Sequence, residues 1–424
     1  MPPSTSSRRS KTAPGAEPHL LTTDEVANRL GVKAATVYAY VSRGLLSSRR
    51  NADGKGSLFA REDVDAFVAG RRRASTPAIQ TGITLIKDGR LYYRGRDACV
   101  LARTATFEAV ANLLWTGDLR HAALEPQRDL LTLASAVTGP LPKDTRSTDR
   151  LRVIVAAAAA GDPLRFDTSP TAVVATGRSL LGTMVRALPE GLGAGSSTAP
   201  QGPGFSAPSA GPGAGSSTAR ALWHRLTGRQ PTDDDHRSLN AALVLLADHD
   251  IAASTLAARV AASTRANPYA VVSAGLAALD GPLHGAASGL AYALLADAVS
   301  KDDPVTTIAD RLRVGGVIPG FGHPLYPDGD PRAATLLEMV PDGPVRECAA
   351  RVAEAMRSRS GVHPNVDFAV AALTLQHGMP ADAGEAIFAV ARTAGWLAHA
   401  LEEYADRPSR FRPTGRYAGR PPSD

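Results

Sequence analysis

Three imidazoles, two guanidinium groups and the carboxylate of Asp367 stand out on stretches, most of them short and turn-rich, spread over about 150 residues of this chain. Asp248-His249-Asp250 closes the apolar run Ala241 to Leu246. Gly281-Pro282-Leu283-His284-Gly285 reads as a turn after a helix opened by Asn267-Pro268. Gly320-Phe321-Gly322-His323, followed by Asp330-Pro331-Arg332, carries an imidazole and a guanidinium on a segment whose prolines 324, 327 and 331 deny it helical backbone. In Pro364-Asn365-Val366-Asp367, Asn365 or Asp367 can start a helix; a carboxylate there is held ionised by the helix dipole and free amides, which suits a base and equally a plain cap. Phe388, Arg392 and Trp396 recur four apart on one apolar helix face, so Arg392 either snorkels or pairs with an anion. No nucleophilic Ser or Cys triad accompanies them. Arginine forks suit a substrate with more than one carboxylate. Neutral His beside Asp suits proton removal next to a carbonyl, with the enolate held by hydrogen bonds. The chemistry implied is carbon–carbon bond formation or cleavage on a polycarboxylate.

The elements that must position these groups are helices. Hydrophobic residues make up 44% of the 424 residues but aromatics only 5%, so the core is built from Ala, Leu and Val, a composition that favours packed helices over sheet. The two cysteines, Cys99 and Cys348, are far apart and form neither a disulfide framework nor a metal-ligand spacing; a reducing, cytoplasmic setting without metal is expected. No apolar stretch reaches membrane-spanning length, and Met1 to Pro18 lacks the apolar middle of a signal peptide.

Charge divides the chain. Residues 1–75 hold 13 of the 47 basic and 7 of the 41 acidic residues, so the entire excess of +6 lies there and points to a polyanion partner. Residues 1–18 read as a disordered tail. In 19–73, Thr22 or Thr23 caps a helix through Val26 and Leu30, Gly31 stops it, a second helix runs from Ala34 to Arg43, Arg49 to Ser57 reads as a hairpin or wing, and a third helix with Val64, Phe67 and Val68 starts near Arg61. Leu21 to Ala27, Leu30-Gly31-Val32, Thr36-Val37-Tyr38 and Gly44-Leu45-Leu46 resemble the winged helix-turn-helix of the MerR and excisionase groups. That resemblance implies Lys33, Thr36, Tyr38 and Arg43 near DNA, with Arg49, Arg50 and Lys55 on phosphates; a helical interaction module without DNA is the alternative. Farther on, residues 189–219 are rich in Gly, Pro, Ser and Ala, and Gly193 to Ala199 recurs at Gly213 to Ala219, which predicts a flexible, exposed insert between helices.

Residues 78–424 are similar to the citrate synthase family. Tyr93-Arg94-Gly95, Phe107-Glu108, Leu113 to Gly117, and each of the chemistry-bearing stretches above follow that family's motifs in order, ending with Ala391 to Trp396 and Arg412-Pro413. The resemblance implies an all-α fold with a large domain over 74–285 and 386–424 and a small domain over 286–385 that closes on the site. It implies acetyl-CoA and oxaloacetate as substrates, with no further cofactor. Asp367 would take a methyl proton, His284 would hydrogen-bond the enol, and His323 would protonate the ketone. His249, Arg332 and Arg392 would hold oxaloacetate, and Arg412 would reach the neighbouring subunit's site in a homodimer. The pattern is broken at Leu246, Ala252, Ser288 and Pro327, where the family usually places His, Asn, Asn and a basic residue, so secondary polar contacts are thinned. Citrate synthase, 2-methylcitrate synthase using propionyl-CoA, and a DNA-binding regulator with a metabolite-sensing body are the three functions compatible with this reading.

Overall fold

In a computed structural model, the described residues are 20–42, 46–50, 57–61, 63–65, 67, 79–192 and 217–412. They fall into two units, residues 1–80 and 81–424, each with its own core. Arg43, Lys55, Val68 and most of the expected insert lie outside the described residues.

In the first unit, β1 (Leu20–Thr22) leads into α1 (Thr23–Leu30) and α2 (Ala34–Ser42). Thr22 forms a capping box with Glu25, each side chain meeting the other's backbone amide, which fixes where α1 begins. The turn through Gly31 is tied by Val32 N to Ala27 O at 3.0 Å. The expected wing is present as β2 (Arg49–Arg50) against β3 (Ser57–Ala60), and β1 adds to the other edge of β3 to give the order β1-β3-β2. Arg61, residues 63–65 and Phe67 are helical, as expected for the third helix. Val26, Val37, Phe59 and Val64 are fully buried at the centre, and Arg29 pairs with Asp65 at 2.7 Å.

The second unit opens with an antiparallel sheet that composition did not foretell: β4 (Thr84–Lys87), β5 (Arg90–Tyr93) and β6 (Arg96–Asp97). Its turn is Asp88-Gly89, both at positive φ (50° and 69°), which is the tight hairpin that an Asp-Gly pair encodes. Helices follow: α3 (Ala98–Thr104), α4 (Phe107–Thr116), α5 (Arg128–Thr138), α6 (Ser147–Gly161), α7 (Pro170–Arg186), α8 (Thr218–Thr227), α9 (Asp233–Leu246), α10 (Ala253–Ser263) and α11 (Pro268–Leu279). Then come α12 (Ala287–Lys301), α13 (Pro304–Arg313), α14 (Pro331–Met339), α15 (Pro344–Ser360), α16 (Val366–Gln376) and α17 (Ala383–Ala405). Every residue of α17 from Ala383 to Ala400 is buried; it packs on α4, α6, α7, α9, α10 and α11. Helices α12 to α16 pack mainly on one another.

Two expectations need correction. The insert was drawn too wide: Leu192 N donates to Arg225 O at 3.0 Å, Ser217 caps α8, and Ala219 is fully buried. The second copy of the repeat therefore ends as helix start, because its Ser-Thr-Ala supplies a cap and two small buried residues. Pro331 does not bar a helix but begins α14, with Asp330 as its cap; the first helical position needs no amide donor, and proline presets its φ.

Candidate active site

The C-terminal end of α9 is held by the sheet and by α17. Tyr93 Oη lies 3.0–3.1 Å from the carbonyl oxygens of Val244, Leu245 and Asp248. Asp248, fully buried, accepts from Thr84 Oγ1 and from His399 Nε2 at 3.3 Å. Gly395 N donates to Ala247 O at 3.0 Å, an approach that leaves no room for a Cβ on residue 395. Its neighbours fix His249, the next residue along, whose Nε2 meets Tyr326 Oη at 3.0 Å.

The turn after α11 presents His284, whose Nε2 is 2.7 Å from Ser254 Oγ in the first turn of α10. Its ring stands edge-on to Phe388 at 5.6 Å. The loop bearing His323 is clamped to the start of α16: Gly322 N donates to His363 O at 2.8 Å, Asn365 N to Gly320 O at 2.9 Å, and Asn365 Nδ2 to Gly322 O at 3.1 Å. Gly320 adopts φ 85°, and an added Cβ would lie 2.8 Å from that of Phe368, so both its dihedral and the space require glycine. His323 Nδ1 accepts from Leu325 N at 3.1 Å, so in the neutral ring the proton is on Nε2.

Asp330 joins the two halves. Its carboxylate takes Arg332 Nε at 3.0 Å and Nη2 at 2.8 Å, and the same Oδ2 accepts Val366 N at 3.0 Å. Arg332, in the first turn of α14, is buried in this bidentate pair. Asn365 caps α16 by accepting from Asp367 N at 3.0 Å and Phe368 N at 3.4 Å, so Asp367 is released from capping. Arg392 does not snorkel: it is 1% exposed, donates Nε to Leu246 O at 2.9 Å, lies over the Phe388 ring at 4.6 Å, and its buried Nη1 has no hydrogen-bond partner among the described residues.

His249, His284, His323, Arg332, Asp367 and Arg392 all line one cavity of about 520 Å³. Arg311 also reaches it, and Asp367 is the only acidic side chain in its lining. Arg412 does not line it and is exposed near the end of the described chain. Of the positions where polar contacts were expected to be thinned, Ala252 does line the cavity. Leu246 contributes through its carbonyl to Arg392. Ser288 is turned into the core, donating to Gly285 O at 3.2 Å.

The charge states follow from burial. Burial, reinforced by Arg392, pushes His284 down to about 4. Burial and the Arg332 and Arg392 charges hold His249 well below the ordinary imidazole range, and burial with Arg332 lowers His323. All three rings are neutral at pH 7. For Asp367 burial outweighs Arg332 and pushes it up to about 6, so it is ionised at pH 7 but held less firmly than the helix dipole alone implies. The cavity thus joins three neutral rings, three guanidinium groups and one weakly acidic carboxyl.

Sequence reasoning overlooked Ser254, Tyr326 and Asp330 as site residues. Asp330 stood within a recognised motif. Nothing in the local sequence marks Ser254, thirty residues from the ring it touches.

In the first unit Lys33, Tyr38 and Arg49 are exposed and Thr36 is half-buried; the Arg50 backbone pairs in the wing. Arg43 and Lys55 lie outside the described residues.

Fold and cavity define a helical protein with one cavity that gathers imidazole, guanidinium and carboxyl groups, and a helix-turn-helix unit precedes it in the sequence. Residues 73–414 match the family model of the citrate synthase C-terminal domain, and 20–72 that of a helix-turn-helix domain. Citrate synthase of Haloferax volcanii is 32% identical over 352 residues, 78% of this chain and 90% of that protein. 2-Methylcitrate synthase 2 of Corynebacterium glutamicum is 30% identical over 357 residues, 78% and 88% respectively. The crystal structure of citrate synthase from Thermotoga maritima MSB8 superposes with a TM-score of 0.63 at 26% identity, covering 82% of this chain and 95% of that one. The chain belongs to the citrate synthase family and carries a helix-turn-helix domain at its N-terminal end. Among the described residues no helix is long and apolar enough to cross a membrane.

Proposed function

We propose that the 520 Å³ cavity condenses acetyl-CoA with oxaloacetate to give citrate and CoA. The observation that carries this reading is the convergence of one raised carboxyl, three neutral imidazoles and two buried arginines on a single space. Asp367, ionised, takes a proton from the acetyl methyl group. In this proposal the Ser254 hydroxyl donates to His284 Nε2 and the ring keeps its own proton on Nδ1. That N–H donates to the thioester oxygen as the enol forms. A neutral donor there is better matched than a cation that would hold its proton less readily, and the depressed basicity of His284 supports it. The enol carbon then attacks the ketone carbon of oxaloacetate while His323 gives its Nε2 proton to the ketone oxygen. His249, Arg332 and Arg392 hold the oxaloacetate, with the unpartnered Arg392 Nη1 as the donor awaiting a carboxylate. Water then cleaves citryl-CoA. Closure of a small domain, residues 286–385, over the large one would keep water from the enol. A homodimer would let Arg412 serve the neighbouring site.

Relatives named 2-methylcitrate synthase, and a Bacillus subtilis relative named citrate/2-methylcitrate synthase at 29% identity, favour propionyl-CoA as a second acyl donor. One methylene gives only modest discrimination in an apolar pocket. The N-terminal unit binds DNA in this proposal through Lys33, Thr36, Tyr38, Arg43, Arg49, Arg50 and Lys55. A sensor body would need no base, which weighs against a purely regulatory role.

The test is thiol release from acetyl-CoA and, in parallel, propionyl-CoA, each with and without oxaloacetate. Release that depends on oxaloacetate is expected. A protein silent with both thioesters at saturating oxaloacetate would show the body to be a sensor.

A further inference from the structure

A second cavity, of about 320 Å³, opens between the C-terminal ends of α5 and α7, the first turn of α6, and α8. It shares no lining residue with the cavity of His284. Lys143, Arg150, Arg186 and Arg225 line it, and no Asp or Glu does. Gathering four like charges in one concavity costs Coulomb energy that a solvated surface would avoid by spreading them.

Local partners offset only part of that cost. Arg150, 4% exposed, is anchored through Nε to Thr145 O at 3.3 Å and through Nη2 to Pro142 O at 2.5 Å. Arg186 donates Nη1 to Leu124 O at 3.0 Å and reaches Glu125 at 3.4 Å. Arg225 meets Glu190 at 3.3 Å, yet its Nε is buried with no hydrogen-bond partner among the described residues. Lys143 is exposed at the rim and has no ion pair among the described residues. Glu125 and Glu190, the carboxylates that Arg186 and Arg225 reach, lie outside the lining and half in solvent. Burial lowers the basicity of Arg225; Glu190 opposes that shift and the neighbouring Arg186 adds to it.

We propose that this cavity is a second binding site, for a small phosphate-type oxyanion of two or more charges. Planar guanidinium forks match phosphate oxygens in pairs, and the rigid carbonyl anchors of Arg150 and Arg186 pre-orient two of them. The volume suits a diphosphate or the phosphorylated head of a metabolite. The bound anion would tie the ends of four helices together and stabilise the folded protein by mass action.

Thermal melting of the full-length protein in sodium pyrophosphate, against sodium chloride at equal ionic strength, tests this. A saturable rise in Tm is expected with pyrophosphate alone. K143Q, at an exposed rim position that cannot disturb the fold, should weaken the apparent affinity several-fold. K143Q/R225Q should abolish the rise, while D367N should keep it in full. No rise above the chloride control, or a rise that K143Q leaves unaltered, overturns the proposal. The K143Q arm decides alone if the double variant fails to fold.

Discussion

Asp367 sits in a site that wants its proton gone for chemistry and kept for stability. Its folded-state pKa, about 6, lies above the ordinary 3.8, so its contribution to stability is full below pH 3.8 and lost as pH rises through 6. Above pH 7 the ionised carboxylate is therefore a burden on the free protein, worth at most about 3 kcal/mol. Asp367→Asn should lower turnover by about a thousandfold or more and yet raise Tm at pH 7.5, with the gain shrinking toward pH 5. Thiol-release rates and melting curves across that range check both halves. In the unsubstituted protein kcat/KM should rise with pH through an apparent pKa near 6, since the base must be ionised. A profile flat from pH 5 to 8 would assign the base elsewhere. Ser254→Ala frees the His284 proton to occupy either nitrogen. We expect kcat to fall by about tenfold or more while KM for oxaloacetate holds, because in the proposed mechanism His249, Arg332 and Arg392, not His284, hold the keto acid.

Helix α17 does at the element scale what no single catalytic residue does: it carries Arg392 and, one turn later, brings Gly395 against the end of α9. A Cβ at 395 would lie 2.5 Å from Ala247 O and against Asp248, neither of which can retreat from the Tyr93, Thr84 and His399 contacts around them. Gly395→Ala should cost about 1–3 kcal/mol and misplace His249, so activity drops more than stability; urea melts with parallel kinetics measure the two. Such consequences show what could be read beforehand. Capping chemistry was legible in part: Asn267-Pro268 opens a helix as its types demand, whereas the choice of Thr22 over Thr23 and of Asn365 over Asp367 was decided by the structure. The motif residues were legible too, and six of the seven expected around the substrate meet in one cavity. The Asp88-Gly89 hairpin carried a signal that a composition-level reading passes over. Ser254 and Tyr326 were not legible, since their value lies in contacts between segments brought together only by packing. The raised basicity of Asp367 was not legible, because a sequence displays the helix N-terminus but not the desolvation that opposes it.

At the scale of the whole molecule, two cores that share no residue place the excess charge and the chemistry in separate units. Removing residues 1–80 should therefore leave the thiol-release rate within about twofold and the melting of the rest unchanged, while salt-sensitive retention on DNA disappears. The salt dependence itself counts the modules. The candidate phosphate contacts of one unit, Arg49, Arg50 and Lys55 with Lys33 or Arg43 beside them, amount to about four to five charges, and each neutralised phosphate contributes about −0.9 to the slope of log K against log salt. A single module would then give a slope near −4, with weak binding. Two modules joined through a homodimeric body would give about −8 and far tighter binding, because the second module engages at high effective concentration. Binding isotherms of the full-length protein from 50 to 200 mM salt distinguish these. A slope of about −8 falling to zero on deletion supports a dimeric DNA-bound enzyme. Absence of retention even at 50 mM would make the N-terminal unit a protein-interaction module, and its basic excess would then need another polyanion.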